Sequence, residues 1–158
     1  MTQISRRSFL GRSLAGLALA APAVLATSHA AMAAEPEIYA EGGIAIDGSD
    51  AVAYFDGNGP VTGSADFTVD WKGSTWQFAS AENAAKFKAD PEAYAPQFGG
   101  YCAYAASLGY VAPTLPEAWT IYEGKLYLNA NLRARELWLK DVPGNIAKGE
   151  ANWPGILG

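Results

Sequence analysis

The sequence predicts an α+β fold: two β-hairpins packed with several short helices, in a single small domain that follows a removable leader. Three observations predict it. Large apolar residues alternate with polar ones on both sides of two short turn signals. Capping residues stand in front of segments with helical spacing. No second long apolar run follows the one near the N-terminus.

The leader comes first and spans residues 1–33. Ser5 to Leu10 is polar and basic and carries the pair Arg6-Arg7. An Ala/Leu/Gly run from Leu14 to Ala26 follows, and Ala31-Met32-Ala33 supplies a small-x-small cleavage pattern, with the cut expected after Ala33 or Ala34. The run is shorter than the roughly 20 residues a membrane span needs. The arginine pair with Phe9 and Leu10 behind it resembles the consensus read by the twin-arginine translocase, which makes that translocase the expected partner during export and the periplasm the expected location. No membrane span is expected after cleavage.

The remainder, residues 34–158, is about 125 residues long, one domain by length. Glu35 to Glu41 reads as a polar lead-in, Ile44 to Ile46 as a brief strand and Asp47-Gly48 as a turn. The apolar run Ala51 to Phe55 ends in the turn-rich Asp56 to Pro60. Phe67, Val69 and Trp71 alternate with polar residues, and so do Trp76 and Phe78 after Lys72-Gly73-Ser74, which predicts a hairpin with one apolar face. Ser80 is placed to cap a helix over Ala81 to Ala89, and Asp90-Pro91 to start another. Phe87 and Tyr94, seven apart, are expected to share a face. Gly99-Gly100 precedes a helix over Tyr101 to Leu108, with Tyr101, Ala105 and Leu108 on one stripe and Gly109 as its C-cap. Pro113 to Pro116 reads as loop. Glu123-Gly124 joins a second hairpin in which Ile121 faces Leu126 and Trp119 faces Leu128. A helix near Asn131 to Lys140 is expected to turn Leu132 and Leu139 inward, and Pro143 to open a last helix carrying Ile146 and Trp153.

Composition excludes several functions. Loss of Arg6, Arg7 and Arg12 leaves 8 basic against 16 acidic residues, so the net charge moves from −5 to −8. A chain this acidic is unsuited to nucleic acid or anionic membrane surfaces. The only histidine, His29, and both methionines, Met1 and Met32, lie in the leader. The remainder therefore has no imidazole for Ser-His-Asp or Cys-His catalysis. It also has no His, Met or Cys-pair set within one chain for zinc, copper or haem.

The blocks Asp50 to Phe55, Thr75 to Asn83, Phe87 and Asp90-Pro91-Glu92-Ala93-Tyr94 resemble the YHS family. Gly99 to Tyr104, Pro116 to Ile121 and Asn152 to Ile156 look like a longer exported, twin-arginine-signal subgroup of it. The resemblance implies metal handling, since metal-binding members carry Asp-Pro-Val-Cys and Phe-Cys-Ser-x-x-Cys motifs. The three cysteine positions fall here on Ala53, Ala79 and Asn83, so all three thiolates are missing, and Ala51 stands in place of the proline.

Cys102 is the one soft ligand left. Near a helix start, unpaired amide hydrogens favour a thiolate, and two preceding glycines admit close approach to the backbone. Its neighbours Tyr101, Ala103, Tyr104 and Ala105 make core filler the plainer reading. Tyr94, Tyr101, Tyr104 and Tyr110 suggest an aromatic pocket or hard-metal phenols, against ordinary packing. Asp47, Asp50 and Asp56 do not reproduce a calcium loop and read as turn and capping residues. Asp141 and Glu136 read as solvated helix residues. The glycines at 57 and 59 make no phosphate loop, because no Gly-Lys-Ser/Thr follows. The expectation is a non-catalytic periplasmic binding or interaction module whose small ligand or partner protein meets Gly100, Tyr101, Cys102 and Tyr104. The alternatives are a metal carrier using Cys102, paired across a dimer, and a thiol-dependent enzyme acting through Cys102.

Overall fold

The computed structural model describes residues 33–57 and 59–158. Arg6, Arg7 and the rest of the predicted leader up to Met32 lie outside the described residues, as does Asn58. Among the described residues no helix is long and apolar enough to cross a membrane. The architecture is α+β, with a four-stranded sheet, a two-stranded sheet and several short helices in one domain.

The first predicted hairpin is β3 (Ser64–Trp71) with β4 (Ser74–Phe78), joined by Lys72-Gly73. The second is β5 (Leu115–Tyr122) with β6 (Lys125–Asn129), joined by Glu123-Gly124. Both two-residue turns have positive φ at each position, the hand that matches strand twist. The expected register holds, with Ile121 opposite Leu126 and Trp119 opposite Leu128. One difference enlarges the first sheet. The lead-in forms a tiny hairpin of its own, β1 (Ala40–Glu41) with β2 (Ile44–Ala45), and β2 pairs parallel to β4. Another difference shortens the predicted loop at Pro113 to Pro116. Strand β5 already begins at Leu115, and an irregularity between Leu115 and Trp119 accommodates Pro116, which has no ladder hydrogen to donate.

The helices are α1 (Ala81–Ala89), α2 (Pro91–Tyr94), α3 (Ala103–Leu108), α4 (Leu132–Trp138) and α5 (Val142–Asn152). Ser80, Asn131 and Asp141 cap α1, α4 and α5 by accepting the amide hydrogens of Asn83, Ala134 and Gly144. Asp90 precedes Pro91 but makes no side-chain cap bond.

Two cores flank the second hairpin. Strand alternation sends Leu126 and Leu128 into one, with Trp76, Phe78, Phe87 and Tyr54. It sends Tyr127 into the other, with Phe98, Ala103, Ala106 and Trp138. Phe87 lies 4.8 Å from Trp76 and 5.1 Å from Phe78, ring centre to ring centre. Phe87 and Tyr94 do meet the same core, and Ile146 and Trp153 the other.

Three apolar residues expected inside are outside. Leu132 is 59% exposed and Leu139 42%, while Trp138 between them is fully buried. The larger ring buries more apolar area, and once it is seated against Tyr127 it sets the helix phase. Leu108 is 56% exposed as the last residue of α3, which starts at Ala103, two residues later than expected. Its buried residues are Ala103, Ala105, Ala106 and Ser107, short side chains that let α3 lie close against α5, where the Asn152 amide donates to the Ala106 carbonyl at 2.8 Å.

Candidate functional site

Three consecutive residues of positive φ lead into the segment expected to bind: Phe98 at 55°, Gly99 at 61° and Gly100 at 84°. The glycines serve internal packing. A Cβ on Gly99 would collide with the Glu37 carbonyl, and one on Gly100 would stand 2.6 Å from Ile46 Cγ2. The close approach that two glycines permit is thus taken up by residues 37–46 of the same chain. The Tyr39 amide donates to the Gly99 carbonyl at 2.9 Å, and the Tyr101 hydroxyl to the Pro36 carbonyl at 2.9 Å. Burial raises the Tyr101 phenol above its ordinary pKa, with Glu35 adding to the shift.

Cys102 is 2% exposed and forms the N-cap of α3, one position ahead of the first turn in which the sequence placed it. Its sulfur accepts the Ala105 amide at 3.4 Å and donates to Asn129 Oδ1 at 3.6 Å. The Tyr104 amide donates to the same oxygen at 3.0 Å. An amide hydrogen can only be donated, so the oxygen of Asn129 must face Tyr104, which leaves the buried Asn129 Nδ2 without a partner. Gly100, Tyr101 and Cys102 are buried, and only Tyr104 of the four is half-buried. The four tyrosines do not converge. Tyr94 packs edge-on to Phe55, Tyr101 packs on Tyr39 and Trp153, and Tyr110 is 52% exposed.

Asp50 does more than the turn or capping role that the sequence suggested. Its side chain is fully buried and accepts four hydrogens. Oδ1 takes the amides of Val52 at 2.9 Å and Ala53 at 3.1 Å. Oδ2 takes the Ala79 amide at 2.9 Å and the Asn83 side-chain Nδ2 at 2.8 Å. Three of these donors belong to Ala53, Ala79 and Asn83, the positions where the resembled metal-binding pattern has cysteine. The chain does not fit a metal there. Two of the three side chains are methyl groups, the third is an amide turned toward Asp50, and both carboxylate oxygens are already occupied. Among the described residues no group of three or more His, Cys, Asp and Glu is placed to hold a metal ion.

Sequence reasoning also missed a groove of about 220 Å³ between the β3–β4 turn, the chain at residues 95–99 and the end of α5. Trp71, Phe98 and Trp153 supply its rings and Glu37, Glu92 and Glu150 its carboxylates. The Lys72 ammonium lies 2.6 Å from Glu37, 3.4 Å from Glu92 and 4.7 Å from the centre of the Trp71 ring. Hydrogen bonding to Glu37, more than the opposing desolvation, raises the Lys72 pKa. Glu150 is exposed and makes no ion pair among the described residues. A second cleft, of about 340 Å³, lies beside Tyr39, Tyr101 and Pro113 and has the lone carboxylate of Glu35. Only the tertiary fold assembles the groove, since Glu37, Trp71 and Glu150 are far apart in sequence.

Fold and site together define a small α+β scaffold with an internal carboxylate tie and an acidic, aromatic groove. The YHS domain family matches residues 52–98, so the chain carries a YHS domain. The match runs from the turn held by Asp50 through β3, β4, α1 and α2 to Phe98, and stops before α3 and the second hairpin. No curated protein and no solved structure matches the chain.

Proposed function

We propose that this chain is an exported periplasmic protein in which a YHS domain serves as a non-catalytic binding module. Its support is the arrangement at Asp50. The carboxylate ties the backbone of Ala53 and Ala79 and the side chain of Asn83 into one hydrogen-bonded unit. The part of the scaffold that handles metal in the resembled proteins is here a structural joint, which leaves surface shape and charge as the means of recognition. Burial of Cys102 weighs the same way, because a residue 2% exposed whose sulfur is hydrogen-bonded on both sides is poorly placed to attack a substrate or collect a metal from solution. The Arg6-Arg7 leader supports export by the twin-arginine translocase.

The test uses the full chain expressed in a bacterium with a twin-arginine pathway and recovered from the periplasm. Elemental analysis is expected to find metal far below one ion per chain, unchanged in Cys102→Ser. Arg6→Lys with Arg7→Lys is expected to leave the protein in the cytoplasm. One tightly held transition metal per chain would overturn the binding-module reading. So would turnover of a substrate abolished by a single side-chain change.

A further inference from the structure

The groove beside Trp71 already holds a cation, the chain's own. Lys72 projects from the β3–β4 turn, lies against the Trp71 ring and pairs with Glu37 and Glu92. Ring faces and carboxylates around one ammonium form the environment in which proteins recognise organic cations. The groove has more of both than Lys72 uses. Half-buried Trp153 stands on its other side, packed edge-on to the buried Phe98, and Glu150 beside it has no counter-ion among the described residues. Three carboxylates against one ammonium leave the lining negative, within a domain of net charge −8 once the leader is removed.

We propose that this groove binds a small alkylammonium ion, held against Trp153 and paired with Glu150. The proposal rests on the binding-module reading and names the ligand class for it. An anionic ligand is disfavoured because the one ammonium in the groove is paired twice. A bulky ligand is disfavoured because the space of about 220 Å³ is below the range of drug-sized sites. Binding at so open and solvated a site belongs in the millimolar range and weakens with salt.

Two substitutions test the idea without threatening the fold. Glu150→Gln removes an exposed charge and keeps the side-chain shape; affinity for tetramethylammonium and choline is expected to fall about fivefold. Lys72→Asn gives the turn an Asn-Gly pair, which suits its positive φ values, and releases Glu37 and Glu92. Removal of this positive residue is expected to tighten binding of the same ions about fivefold or more, a change that a purely structural role for Lys72 does not produce. The readout is the indole N–H signals of Trp71 and Trp153 in NMR titrations of the folded protein. The uncharged isostere 3,3-dimethylbutanol is expected to leave them in place.

Equal shifts with choline and the isostere would overturn the charge preference while leaving a binding groove. Absence of any shift up to tens of millimolar, or unchanged affinity in Lys72→Asn, would overturn the site. Neither outcome bears on metal content or turnover, so failure here is separable from failure of the binding-module reading.

Discussion

Asp50→Asn is the sharpest perturbation of this fold. The carboxylate accepts two amides on Oδ1 and one amide plus the Asn83 Nδ2 on Oδ2, all between 2.8 and 3.1 Å, at a fully buried position. An amide in its place keeps one acceptor and turns a donor toward the other pair. Asn83 can flip and offer its oxygen to the new NH2, but the backbone amide next to it cannot, so one buried N–H is orphaned. A hydrogen bond to a charged group contributes roughly 1.5–3 kcal/mol, and an unsatisfied buried donor costs about 1–3 kcal/mol. The expected loss is about 2–4 kcal/mol, a large share of the roughly 5–15 kcal/mol a small domain has. With an m value of about 1.5 kcal/mol/M in urea, a loss of about 3 kcal/mol lowers the midpoint by about 2 M. Asn83→Ala, which removes one donor and orphans none, is expected to cost about 1 kcal/mol. Urea unfolding followed by tryptophan fluorescence measures both. A loss below about 1 kcal/mol for Asp50→Asn, at unchanged m, would refute the idea that this carboxylate joins the 50–56 turn to β4 and α1.

Two further outcomes follow from burial. Cys102 is expected to react with a thiol reagent only as fast as the protein unfolds, and Cys102→Ser, whose hydroxyl caps a helix at least as well, to stay within about 1 kcal/mol of the parent; rapid labelling of the folded protein would contradict this. Burial also pushes the Tyr54 phenol from 10.0 up to about 12, and moves Tyr39, Tyr101 and Tyr127 the same way. Between those two pH values the unfolded chain has lost the Tyr54 proton and the folded chain retains it. The Tyr54 contribution is therefore fully present below pH 10 and falls above it, by roughly 1.4 kcal/mol per pH unit up to about pH 12. Tyrosinate absorbance and urea midpoints measured across this range test it, and ionisation of Tyr54 near pH 10 in a still-folded protein would refute it.

The hairpins were readable because their causes are local. Alternation in Phe67-Thr68-Val69-Asp70-Trp71 puts one face in and one out, and X-Gly pairs at 72–73 and 123–124 suit the tight turn. Helix starts were readable at Ser80 and Pro143 for the same reason, since a cap acts on amides two or three residues away. The inward faces of α3 and α4 were not. Leu132, Leu139 and Leu108 have the spacing of core residues, yet Trp138 and the alanines of α3 won the interior. Which apolar stripe is buried depends on what approaches it, here Tyr127 and α5. The glycine pair at 99–100 misled in an instructive way. It does mark a close approach, but the approaching group is Glu37 and Ile46 of the same chain.

Composition and short-range pattern alone determined the α+β class, the hairpin register and the absence of histidine and methionine after Met32, because each depends only on residue identity or on neighbours a few positions apart. Tertiary structure decided that Cys102 is sealed behind Asn129, that Asp50 gathers the three positions where the resembled pattern has cysteine, and that Glu37, Trp71 and Glu150 share one groove. Those facts are distances between residues tens of positions apart, and such distances are set by which surfaces bury each other when the chain packs.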